Sequence, residues 1–151
     1  MRIQQLRELL EYVAECHLDM AQLYKRLNDQ ADSSRTKLLL DYFEQHQKGV
    51  AKHLEDYVDE APARILESWY KDFVFEDFKK RCQDAMLPAS MNDDDVLELH
   101  LELDNALIGL LEKTANSSSA PDVKSALEDL VRVQKIHQQR LVHSTMRMED
   151  I

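Results

Sequence analysis

Glycine and proline are nearly missing from this 151-residue chain, which has two of the first and three of the second. Short-stranded sandwiches and barrels need turn residues at frequent intervals, so such β folds are excluded. Gly49 and Gly109 lie far apart, which rules out a Gly-rich phosphate loop. Cys16 and Cys82 are too few for a disulfide framework, and reduced thiols in the cytoplasm are the expectation. Positive charge is also short. Nineteen Lys and Arg against 29 Asp and Glu leave a formal charge of −10, which repels phosphate backbones, so no nucleic-acid partner is expected. No run of 18 apolar residues exists, and the opening MRIQQLRELLEY is amphipathic rather than a signal core, so no membrane association is expected.

What is present is ample apolar and charged sequence, 44% and 32%, enough for a folded core rather than disorder. A single domain over 1–151 is expected. Four long segments carry helical periodicity. The first runs from about Arg2 to Asn28, with Ile3, Leu6, Leu10, Val13, Met20, Tyr24 and Leu27 on one face and Leu9, Cys16 and Leu23 beside them. The second runs from about Ser34 to Val58 behind an Asp32 or Ser33 cap, with Thr36, Leu40, Phe43, Val50, Leu54 and Tyr57. The third follows an Asn92 cap and three aspartates. Its Leu97–Leu103 stretch alternates as a strand would, yet Leu and Glu are helix formers and the segment is long. The fourth opens near Ser119 and Pro121, with Val123, Leu127, Leu130, Leu141 and Met148 inward.

Short loops join the first two segments and the last two, which implies two antiparallel hairpins. Between the hairpins, residues 59–92 are long enough to cross the length of a bundle. Their centre holds Trp69, Tyr70, Phe73, Phe75 and Phe78, too apolar for a free linker. This crossover is expected to pack as short helices, and its aromatics are the candidate interaction surface. The fold class is therefore all-α, an antiparallel four-helix bundle with a long helical crossover between helices two and three.

The stripes fail to be apolar at one height. His17 falls between Val13 and Met20, Gln47 between Phe43 and Val50, and Gln134 and His137 between Leu130 and Leu141. A buried polar layer of His17, Gln47, Gln134 and His137 is expected halfway along the core. Such a layer satisfies its own hydrogen bonds and fixes helix register. On the third segment the matching position is Leu103. His46, His53 and His143 read as surface histidines, and Glu98, Glu102, Asp104 and Glu112 as a solvated acidic face. Gly49 and Gly109, inside helices but off the stripes, suggest close approach of another backbone.

Tyr24 and Leu27, Gln47-x-x-Val50…Leu54 and Gln134-x-x-His137…Leu141 give the chain a resemblance to the ferritin-like, rubrerythrin-type superfamily. Helices two and four also overlay weakly through Leu40/Leu127, Lys48/Lys135 and Leu54/Leu141. The resemblance covers the helices and not the crossover. It implies Glu at 17, near 103, at 47 and at 134, with His at 50 and 137, in any member that holds a di-iron site. This chain has His17, Leu103, Gln47, Gln134, Val50 and His137, and only His137 agrees. Two metal ions need anionic bridging oxygens, so the di-iron site reads as lost. The expected role is non-enzymatic, through protein binding or assembly, with a homodimer or another protein as partner and no cofactor. The alternative is a metal-binding protein or metal-dependent enzyme holding a single transition-metal ion at His17 and His137.

Overall fold

The computed structural model describes residues 5–69 and 77–149, with side chains up to residue 147. Six helices follow in order: α1 Leu6–Gln30, α2 Ser34–Glu60, α3 Ala63–Leu66, α4 Phe78–Asp84, α5 Asp93–Ser117 and α6 Pro121–Glu149. The four long ones match the four periodic segments. The Leu97–Leu103 alternation lies inside α5, where Val96, His100, Leu103, Leu107 and Leu111 turn inward at steps of three and four.

Caps set the boundaries. Ser33 Oγ accepts from the Thr36 N–H at the start of α2. Asn92 and Asp95 form a reciprocal capping box at the start of α5, satisfying two otherwise orphaned donors. At α6 the cap position is Ala120, whose carbonyl accepts from Lys124, rather than Ser119.

α1 packs chiefly on α2, and α5 on α6. Asn28 and Lys37 clamp the first hairpin by exchanging hydrogen bonds across its turn, at 2.8 and 2.9 Å. The crossover spans the length of α1. It begins at the α1 N-terminus, where Leu6 N–H donates to Ser68 O and Gln5 forms an isolated antiparallel bridge with Trp69. It ends at the α1 C-terminus, where Arg26 donates to the Cys82, Gln83 and Ala85 carbonyls. Asp32 N–H then donates to Ala89 O. That return brings α5 back beside the start of α2, where Thr36 Oγ1 donates to Asp93 at 3.2 Å. α2 and α5 therefore start at the same end of the bundle.

One continuous apolar core draws on all six helices. Each fully buried Leu, Val or Phe contributes about 1.5–3 kcal/mol relative to exposure. The inward residues of α1, Leu6, Leu10, Val13, Met20, Tyr24 and Leu27, are all buried, and so is the second line, Leu9, Cys16 and Leu23. Ile3 and Met148 lie outside the described side chains.

The proposed aromatic surface divides. Trp69 is 70% exposed, but Phe78 is buried at the start of α4, so it presents no contact surface. Tyr70, Phe73 and Phe75 lie outside the described residues. No helix among the described residues is long and apolar enough to cross a membrane.

Candidate functional site

Five of the six histidines gather around mid-bundle and divide into an inner set and an outer set. His17 and His100 are inner, and both are buried. His46, His53 and His137 line a groove between α2 and α6, half-buried rather than freely exposed.

His17 and Gln47 form the centre of the inner set. The His17 Nδ1–H donates to Gln47 Oε1 at 2.6 Å, a short and fully enclosed bond. Gln47 Nε2 donates in turn to His46 Nδ1 at a longer 3.4 Å. Gln134 is buried as expected for a core position, but its Nε2 has no partner among the described residues. His137 does not join the layer. It stands outside, its ring centroid 6.3 Å from that of His46 and 5.4 Å from that of His53. Three residues separate Gln134 from His137 on α6, close to one turn. That offset sends one side chain into the core and the other into the groove.

A second inner network takes Tyr24 and Phe43 from the expected stripes and adds His100, Asp104 and Gln138 from α5 and α6. Tyr24 Oη and His100 Nδ1 share a 2.8 Å hydrogen bond, and Phe43 packs against both rings. His100 Nε2 then faces Asp104 Oδ2 at 3.9 Å, too far for a hydrogen bond. Gln138 Nε2 from α6 donates to Asp104 Oδ2 at 2.8 Å and to Asn105 Oδ1 at 2.9 Å. Asp104 is only 6% exposed, so it is a core residue and not part of a solvated acidic face. The signal for this network lay in the sequence: Val96, His100, Leu103 and Leu107 share a helical face.

Burial sets the charge states. It lowers His17 and His46 to about 4 and His100 to about 3, so all three rings are neutral at pH 7. The His46 shift also reflects the neighbouring His137 and His17. His137 is lowered by burial, then by His53 and Arg140. Burial pushes Asp104 up to about 6 despite the Gln138 hydrogen bond. It also raises the Tyr24 phenol and moves the Cys16 and Cys82 thiols up to about 12, which makes both thiols poor nucleophiles.

Neither helical glycine meets another backbone. An added Cβ at Gly49 or Gly109 would find nothing within 4 Å among the described residues. Gly49 instead lies in the groove between His46 and His53.

No protein-family model matches this chain, and no curated protein matches it by sequence. A solved structure does. It is a Thermotoga maritima protein described as a ferritin-like diiron-carboxylate protein, with a TM-score of 0.60 over 97% of each chain and 12% identity. The fold is ferritin-like.

A ferritin-like di-iron centre does not fit the residues at its expected positions. His17 and Gln47 satisfy each other, and Leu103 and Val50 are buried apolar side chains. Gln134 offers a neutral amide. Among the described residues, no group of three or more His, Cys, Asp or Glu is arranged to hold a metal ion. Asp104, the buried carboxylate on α5 at this height, is committed to Gln138.

Proposed function

We propose that this ferritin-like chain has no di-iron centre and acts by binding or assembly, not by oxygen chemistry. The observation that carries the reading is the 2.6 Å His17–Gln47 hydrogen bond, which occupies two positions where a di-iron bundle has carboxylates. An imidazole already bound to an amide offers no anionic bridge between two metal ions. Without bridging carboxylates there is no scaffold for ferroxidase or peroxidase chemistry. The partner class is a second copy of this chain, which favours a homodimer. Trp69 is the described residue that supports it, because an exposed Trp is the side chain type most often dominant at interfaces.

Elemental analysis and aerobic Fe(II) oxidation, on protein purified without a metal-affinity tag, test the first half. The expected result is no stoichiometric metal and no oxidation above the protein-free rate. Near-stoichiometric metal that disappears in His17→Ala/His137→Ala would overturn the reading in favour of a mononuclear metal site. Sedimentation tests the second half. A dimer weakened by Trp69→Ser supports assembly, and a strict monomer removes it.

A further inference from the structure

The groove between α2 and α6 has a volume of about 450 Å³ and is lined by Tyr42, His46, Gly49, Val50, His53, His137 and Arg140. None of these described lining residues is acidic, in a chain with 29 Asp and Glu. Arg140 is the lining residue with a fixed positive charge. It is close enough to His137 to disfavour protonation of that ring.

The ring edges define the kind of ligand. The Nδ1 atoms of His53 and His137 are enclosed and have no hydrogen-bond partner among the described residues. A neutral imidazole carries one proton, on either nitrogen. A proton on these enclosed Nδ1 atoms would be a buried donor without an acceptor, the costly case. The favoured tautomer therefore carries the proton on Nε2, the remaining edge of each ring. His46 reaches the same tautomer by another route, since its Nδ1 accepts from Gln47. The His46 ring is also hydrogen-bonded to the His137 backbone, so its N–H is engaged within the protein. The His53 and His137 rings thus offer N–H donors and not lone pairs.

A metal ion requires the opposite arrangement. A ligating histidine normally donates its second N–H to a carboxylate, carbonyl or water. Here the enclosed Nδ1 atoms of His53 and His137 have no such acceptor, and no carboxylate lines the groove to offset a cation's charge. Arg140 would repel the cation as well.

We propose that this groove is a binding site for a small oxyanion, a carboxylate or phosphate group, held by the Nε2–H donors of His53 and His137 and by the Arg140 guanidinium. Gly49 leaves the space that the ligand occupies. The proposal is independent of the assembly reading, since the groove is built within one chain.

The test is a heteronuclear NMR titration of the full ¹⁵N-labelled chain with sodium phosphate, then with sodium acetate, against sodium chloride at matched ionic strength. Phosphate or acetate should shift the Gly49 amide and the His53 and His137 ring resonances saturably. The expected dissociation constant is on the order of 1–10 mM for so small a probe. The stronger of the two probes identifies the oxyanion class. Arg140→Gln should weaken binding about tenfold, the usual scale for losing a charged hydrogen bond. Gly49→Leu should abolish binding, because its side chain grows into the groove, whereas Gly109→Leu should leave it unchanged. The proposal fails if chloride produces the same shifts, or if Gly49→Leu still binds. It also fails if zinc chloride saturates these resonances at one equivalent while neither oxyanion does.

Discussion

The inner and outer histidines belong to one mid-bundle neighbourhood and have opposite local economies. His17 and His100 are enclosed, and each has an Nδ1 hydrogen bond to a buried partner, Gln47 and Tyr24. His53 and His137 sit in a groove, and each has an Nδ1 with no partner among the described residues; the inner His100 shares that condition only at its second nitrogen, Nε2. Residue type therefore does not decide the role. A ring with an internal partner serves register and stability, and a ring whose free edge faces a groove is left with bonding capacity to spend on something else. The lesson extends to the ferritin-like frame. Positions 17 and 47, where the resemblance implies ligands in a di-iron member, are joined by a hydrogen bond, while His46, Gly49 and His53 line the groove beside them.

Acid should break this comparison most strongly. An unfolded histidine binds a proton near pH 6.5, but of the inner pair folded His17 does so only near 4 and His100 only near 3. These folded-state values are depressed, so the stability they contribute is complete above pH 6.5 and is lost as pH falls through the folded values. His17 alone accounts for about 3 kcal/mol over that window. With His100 the loss is comparable to the whole stability of an ordinary domain. Urea midpoints should fall steeply from pH 6.5 toward pH 4. A midpoint flat across that range would mean that the inner rings take up protons without unfolding.

Stranding one inner ring is the next effect in size. Gln47→Leu leaves the buried His17 N–H without an acceptor and should cost about 2 kcal/mol by chemical denaturation. Adding His17→Leu should recover most of that loss, because the pair is coupled. In the outer set, His53→Ala strands no partner and should cost less than about 1 kcal/mol. Equal costs for Gln47→Leu and His53→Ala would erase the distinction between the two sets.

How far the sequence revealed these sets depends on what periodicity can encode. The apolar faces of α1, α2, α5 and α6 were legible because burial repeats every three to four residues. Depth was less legible. His137 sits near Gln134 in the same periodic stripe, but the three-residue step between them falls about 60° short of a full turn, enough to take it from core to groove. Asp104 was misread for a different reason: Glu98 and Glu102 lie on either side of His100 and made the local composition look solvated, although Val96, His100, Leu103 and Leu107 define a buried face. The groove itself required two helices to be placed side by side, which no pattern along one helix records. The His46, Gly49 and His53 spacing was its one visible trace.

Asp104 allows the inner network to be separated from its own acid response. Its carboxyl is raised to about 6, so folding gains from it below the unfolded value of 3.8 and loses that gain as pH rises through 6. It opposes the histidines. Asp104→Asn removes the buried charge and can retain an acceptor for Gln138. It should stabilise the protein by about 1–2 kcal/mol at pH 8, a smaller effect than the full shift because burial is incomplete. The advantage should vanish near pH 4. An Asn variant less stable at pH 8 would show that the charge is held by more than the Gln138 hydrogen bond.

The two glycines give the smallest expected effect and the sharpest separation between stability and binding. Both lie inside helices, both have open space where a Cβ would stand, and neither has a positive φ. Ala at either position should therefore stabilise the chain by about 0.5–1 kcal/mol, by lowering the entropy of the unfolded state. On stability alone the two sites are equivalent. They differ only in surroundings, because Gly49 lies in the groove beside three imidazoles and Gly109 does not. If the groove has no ligand, Gly49 is simply a helix position left unoptimised, and thermal melts of Gly49→Ala and Gly109→Ala should rise together with no functional difference. If the groove is a site, the two stabilities should still rise together while oxyanion affinity falls only in the Gly49 series, progressively from Ala to Leu. A parallel rise in stability with divergent affinity is the result that separates a retained space from an accidental one.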